Sequence, residues 1–171
     1  LCELSGGGWG VSDWSEDESK LLLQEYISIN KSRLYLLDAK TGAKELLTPD
    51  EAVPVSYGGA QFAKDGKSIF ITMDSGFEFL RLARLDLATK EMIVHLSGRA
   101  VDVRKWDVDS FALSPDGNYA LLGGRPAGNG SSLGLWDLNS GQRIKTFPDL
   151  SKELFCVAFS PDGKSLLATH G

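Results

Sequence analysis

Apolar residues along this chain fall into short runs, many alternating with polar positions, and each run stops at a cluster of Asp, Ser, Gly, Thr or Pro. That pattern predicts strands joined by tight turns, and no stretch keeps the 3.6-residue period of a helix. Strands are predicted over Lys20–Ile27, Arg33–Leu37 and Lys44–Leu47, and then over Gln61–Ala63, Ser68–Met73, Leu80–Leu85 and Met92–Leu96. Further strands are expected over Asp109–Leu113, Tyr119–Leu122, Leu133–Trp136 and Arg143–Phe147, with Leu154–Phe159 and Ser165–His170 closing the series.

The turns between these strands repeat. A first marker reads Trp14-Ser15-Glu16-Asp17, Phe62-Ala63-Lys64-Asp65-Gly66, Leu113-Ser114-Pro115-Asp116-Gly117 and Phe159-Ser160-Pro161-Asp162-Gly163. A second reads Leu37-Asp38-Ala39-Lys40-Thr41-Gly42, Leu85-Asp86-Leu87-Ala88-Thr89-Lys90 and Trp136-Asp137-Leu138-Asn139-Ser140-Gly141. From first to second aspartate the distance is always 21 residues: 17 to 38, 65 to 86, 116 to 137. Ser-Pro-Asp-Gly suits a type I turn, and an aspartate at a strand end can accept from the N–H groups of the turn that follows. Glu16 and Glu18 replace the Pro and Gly of the first turn, and Lys90 replaces the Gly of the second; each departure should cost on the order of 1 kcal/mol.

Four short strands in roughly 45 residues, repeated in phase, describe a β-propeller blade. The predicted fold is all-β: a partial β-propeller of three complete four-stranded antiparallel blades with partial blades at both ends. The boundaries are 1–5 for a leftover outer strand (Leu1–Leu4), 10–48, 58–97 and 107–148 for the blades, and 154–171 for a truncated one. In this reading Asp17, Asp38, Asp65, Asp86, Asp116, Asp137 and Asp162 are structural turn residues. The chain opens on Leu1-Cys2 and reads as cut from something longer.

Composition narrows the function. At 42% hydrophobic and 24% charged residues the chain is ordinary for a globular protein. A net charge of −5 argues against nucleic acid, and no apolar run is long enough to span a bilayer as a helix. Cys2 and Cys156 make no CxxC pair; they are read as buried free thiols in strands, with a disulfide between them as the alternative. Gly130-Ser131-Ser132-Leu133-Gly134 matches the G-x-S-x-G nucleophile elbow, but it follows a loop and enters a strand, so Ser132 is read as a loop residue. His95 and His170 have no recognisable serine or acid partner. The cluster Asp13, Glu16, Asp17, Glu18 lacks the ligand spacing of a Ca²⁺ loop and reads as a solvated turn. Gly6–Gly10 lacks the ending of a phosphate loop and reads as a connection between strands. No catalytic, cofactor-binding or metal-binding residue is assigned.

One loop stands out for binding. Ser97–Asp107 carries Arg99, Arg104 and Trp106, residue types enriched at protein–protein hot spots, and Thr48–Gly59 and Asp74–Glu78 should share its face.

Asp13-Trp14-Ser15, Asn30–Asp38, Tyr57–Phe62, Gly76–Leu82 and Leu85–Thr89 resemble the N-terminal propeller of prolyl oligopeptidase-family serine peptidases and TolB-like propellers. From Phe111 onward, Leu135-Trp136-Asp137 and Val157–Gly163 are similar to WD repeats, without their Gly-His dipeptide. The first resemblance implies a non-catalytic propeller that gates or scaffolds an α/β-hydrolase domain in the parent chain. The alternative is a standalone TolB-like or WD-like propeller that binds a protein partner on its loop face.

Overall fold

A computed structural model describes residues 2–49, 52–94, 107–125, 133–147 and 154–170. Blade one is a four-stranded antiparallel sheet of β1 (Trp9–Trp14), β2 (Lys20–Ser28), β3 (Lys31–Asp38) and β4 (Lys44–Leu46), in that order. Blade two repeats it with β5 (Tyr57–Phe62), β6 (Ser68–Met73), β7 (Arg81–Asp86) and β8 (Met92–Val94). Blade three does so with β9 (Asp107–Leu113), β10 (Tyr119–Arg125), β11 (Leu133–Asp137) and β12 (Arg143–Thr146). A two-stranded fourth sheet joins β13 (Leu154–Phe159) to β14 (Leu166–His170). The predicted four-strand module is therefore present three times, and the fourth sheet contains the first two strands of the pattern.

Register is held constant by the turns. The residue three after each first-marker aspartate pairs with the second-marker aspartate: Lys20 with Asp38, Ser68 with Asp86 and Tyr119 with Asp137. Alternation then sends opposite faces of each sheet to its two neighbours. Leu22 and Leu34 of blade one pack with Ile69, Ile71, Ala83 and Leu85 of blade two. The other face of blade two gives Phe70 and Leu82 to a cluster with Phe111, Leu122 and Trp136 of blade three. Leu121 and Leu133 of blade three meet Leu154 and Val157 of the fourth sheet. The core is thus a series of sheet-on-sheet layers with no single centre.

Polar clasps join the inner strands. Asp13, four residues before the first turn aspartate, accepts the Trp14 N–H through Oδ1 and the Phe62 N–H of blade two through Oδ2, at 2.9 and 2.8 Å. Gln61 holds the matching position in blade two. Its Oε1 accepts the Leu113 N–H at 3.1 Å and its Nε2 donates to the Phe111 carbonyl at 3.0 Å. In blade three the position is Ala112, which has no polar group to offer.

Several expectations are corrected. Residues 2–5 form no strand; Cys2 and Leu4 instead pack on the face of blade one that carries Leu21, Leu23 and Leu37. A strand there needs a sheet edge to pair with, and apolar contact with an open face does without one. Cys156 is exposed and Cys2 is half-buried outside any strand, so neither is the buried strand thiol expected, though both are free. Trp9 and Gly10 belong to β1 and not to a connection.

Removing a clasp tests this seam. Asp13→Ala and Gln61→Ala should each lower unfolding stability by about 1–3 kcal/mol, the range for losing hydrogen bonds from partly buried groups. Urea denaturation followed by circular dichroism reads both.

Candidate functional site

The turns are the most regular chemistry in the molecule, and they share one face. In the first turn of each module a backbone N–H donates back three residues: Glu18 to the Ser15 carbonyl, Gly66 to Ala63, Gly117 to Ser114 and Gly163 to Ser160, all at 2.9 Å. The donor residue takes positive φ every time, 58° at Glu18, 64° at Gly66, 75° at Gly117 and 69° at Gly163. Glu18 and Lys90 are the positive-φ non-glycine residues among those described, and they stand where the repeat loses its glycine. Lys90 also reaches across to blade one, where it forms an ion pair with Glu45 at 2.8 Å.

The two turns of a module are tied together. The residue after the second aspartate donates its N–H to the residue after the first turn: Ala39 to the Ser19 carbonyl, Leu87 to Lys67 and Leu138 to Asn118, at 2.9, 2.9 and 2.8 Å.

All seven aspartates accept from their own turns. Asp38 Oδ1 takes the Thr41 N–H at 2.7 Å, Asp86 the Thr89 N–H at 2.8 Å and Asp137 the Ser140 N–H at 2.8 Å. In the first turns, Asp17 takes the Ser15 hydroxyl at 2.7 Å, Asp116 the Ser114 hydroxyl at 2.5 Å and Asp162 the Ser160 hydroxyl at 2.6 Å. Asp65 lacks that serine; burial pushes its pKa up, and the Lys67 N–H, the Arg84 guanidinium at 2.6 Å and Ser68 together outweigh it. Every one of the seven is held below the ordinary carboxylate range. Asp17 reaches about 2, chiefly through the Ser15 hydroxyl and then Ser19. For Asp38, Asp86 and Asp137 the leading cause is the N–H three residues on, and for Asp116 and Asp162 it is the serine hydroxyl. Carboxylates committed in this way are poor proton donors at neutral pH.

A cleft of about 490 Å³ opens among the first turns of blades one, two and three. Trp14, 52% exposed, stands in its wall beside Phe62 and Pro115. Glu16 and Lys64 cross between two of the turns as an ion pair at 2.6 Å. Gly117 lets the third turn close in: a Cβ there would lie 2.7 Å from Lys64 Cβ, besides the strain of its positive φ.

The other residues singled out from sequence are not gathered here. Arg99, Arg104, Trp106, His95 and Ser132 lie outside the described residues. The loop face is visible at Asp74, whose carboxylate takes the Ser56 N–H at 2.8 Å, and at Asp107, which takes the Leu80 N–H at 2.8 Å. Connections between blades therefore meet hairpin loops on the face opposite the turns. Asp13 and Asp17 do not converge as ligands, and no group of three or more His, Cys, Asp or Glu able to hold a metal occurs among the described residues. The clasp role of Asp13 and Gln61 escaped sequence reasoning. Its signal is a polar residue at the same offset in two modules, inside otherwise apolar inner strands.

No family model matches the chain, and no curated protein does. A solved structure does match: TolB from Acinetobacter baumannii, with a TM-score of 0.69 and 22% identity over 95% of this chain. The fold is that of a TolB-like β-propeller. The chain spans 38% of the length of that protein, and its unclosed series of sheets fits a partial propeller. At this identity the likeness concerns the fold alone; it supports the TolB-like resemblance and says nothing of peptidases or WD repeats.

Acid titration tests the turn aspartates. Their folded pKa values lie below the unfolded value of about 4, so the unfolded chain binds more protons between the two. Their stabilisation is complete above pH ~4 and is lost as pH falls toward about 2, the value reached by Asp17. The thermal midpoint should drop across that window, and Asn at positions 38, 86 and 137 should flatten the drop.

Proposed function

We propose that this propeller is a non-catalytic scaffold that holds a protein partner against its turn face. The observation that carries this reading is the cleft shared by three blades, with a half-exposed tryptophan in a wall where Asp13 and Asp17 are committed to backbone N–H groups and hydroxyls and Glu16 and Asp65 to Lys64 and Arg84. An exposed aromatic beside a proline and an aliphatic ion-pair stem offers contact area at low entropic cost, as interface anchors do. The loop face, with Arg99, Arg104 and Trp106, is the second candidate surface for such a partner.

A second reading rests on the similarity of Asp13-Trp14-Ser15 and Asn30–Asp38 to peptidase propellers. In it the propeller gates an α/β-hydrolase domain of the parent chain, and the parent gene encodes a nucleophile elbow that opens a helix. A parent gene without one removes this reading.

For the scaffold, the immobilised wild-type chain, Trp14→Ala and the pair Arg104→Ala with Trp106→Ala are exposed to the same native lysate. Truncating an aromatic hot spot costs about 2 kcal/mol or more, roughly thirtyfold in affinity. Partner capture should fall accordingly for Trp14→Ala. A fall confined to the Arg104 and Trp106 pair moves the contact to the loop face, and unchanged capture by both variants rejects the two surfaces.

A further inference from the structure

The β2–β3 hairpin outgrows its counterpart in blade two. Pairing of β6 with β7 ends at Met73 and Arg81, which correspond in register to Glu25 and Arg33 of blade one. In blade one the ladder continues through Tyr26 with Ser32, past a bulge at Ile27, to Ser28 with Lys31, and Ile29 and Asn30 make the tip. The extension is apolar where an exposed hairpin is ordinarily polar: Ile29 is 81% exposed and Tyr26 56%, with Ile27 exposed between them. Beside it on the loop face, Val53 of the connection into blade two is 70% exposed, and Phe77 of the β6–β7 loop is exposed as well.

Hydrogen bonds brace these three connections against one another. The Ser32 N–H donates to the Val55 carbonyl at 3.1 Å, the Ser56 N–H to Asp74 Oδ1 at 2.8 Å and the Phe77 N–H to the Asp74 carbonyl at 2.8 Å. The five apolar side chains therefore sit on one rim, set between blades one and two. Backbone donors on the flanks of the hairpin are already paired, Tyr26 with the Gly8 carbonyl at 2.8 Å and Ser32 with Val55, so the tip can leave water without stranding them. Charge is balanced too. The Arg81 guanidinium lies 5.7 Å from the centre of the Phe77 ring, Asp74 is taken up by the Ser56 N–H, and Lys31 and Glu78 add one charge of each sign. The seven turn aspartates stand on the opposite face.

We infer that this rim is a peripheral membrane contact: Tyr26, Ile27, Ile29, Val53 and Phe77 enter the headgroup–acyl boundary of a phospholipid bilayer, with the acidic turn face held away from it. Apolar side chains on separate convex connections suit a fluid partner that closes around each of them, whereas a folded protein would need a fitted hollow for every one. Tyr26 and Phe77 supply rings of the kind that settle at headgroup level, and Ile29 reaches deepest. Among the described residues no helix is long and apolar enough to cross a membrane, and this contact asks for none. It stands independently of the scaffold reading, whose first surface is the turn face.

The full 171-residue protein is floated with vesicles of phosphatidylcholine alone and of phosphatidylcholine mixed with phosphatidylglycerol. Wild type should float with both, and added salt should not release it from the neutral vesicles, because apolar burial is not screened. Ile29→Ser combined with Val53→Ser should lower partitioning roughly tenfold or more at an unchanged circular dichroism spectrum, and Ile29→Ser alone should act in the same direction. Ile93→Ser, at an exposed residue of β8 away from the rim, should leave it within about twofold. Flotation on neutral vesicles that the rim variants lose and Ile93→Ser keeps supports the contact. No flotation on either vesicle overturns it, as does flotation that rim and control variants share alike, or that needs the anionic lipid and vanishes in salt. A doubled solution mass that the rim variants return to a single copy's also overturns it, because a second chain then covers the rim.

Discussion

A hairpin turn exposes N–H groups that the sheet ladder cannot pair, and an ionised aspartate placed two or three residues earlier accepts them. That single arrangement, seven times repeated, sets the register of the sheets. With the aspartate in place the turn donates to the neighbouring turn of the same module, the second and third strands pair in one alignment, and alternation sends apolar side chains to both faces. Each face then finds the opposite face of the next sheet. The stacking follows from local turn chemistry propagated by the two-residue period of strands.

The same arrangement accounts for the seven turn carboxylates as structural groups. The turn aspartates that sequence reading is drawn to are spent on backbone N–H groups, serine and threonine hydroxyls and, at Asp65, a guanidinium, and those donors keep them ionised. Beside them the fold leaves a cleft where three turns converge, with Trp14 partly uncovered and Gly117 thin enough to let two turns approach.

Much of this was legible in the sequence because its signals are short-range. The constant 21-residue step between aspartates announces the module, and the positive φ of Glu18 and Lys90 falls where the missing glycines say it must. Features that depend on what lies across a gap were not legible. Leu1–Leu4 has the apolar character of a strand, yet Cys2 and Leu4 bury their side chains on a face of blade one without pairing their backbone. Asp13 looked like part of an acidic surface cluster, yet one oxygen serves the next blade. Cys156 sits in a strand whose side faces solvent, which composition could not reveal. The loop holding Arg99, Arg104 and Trp106 lies outside the described residues.

Stacked modules of this kind share stability between neighbours, so a weak boundary is felt as loss of cooperativity. Ala112 makes such a boundary. The first two junctions carry a polar latch as well as an apolar layer; the third relies on the apolar layer, drawn close by Gly123, whose missing Cβ leaves room for Val157 and Leu154. On heating, β13 and β14 would part from the rest before the first three blades melt, giving two transitions where a uniformly latched array gives one.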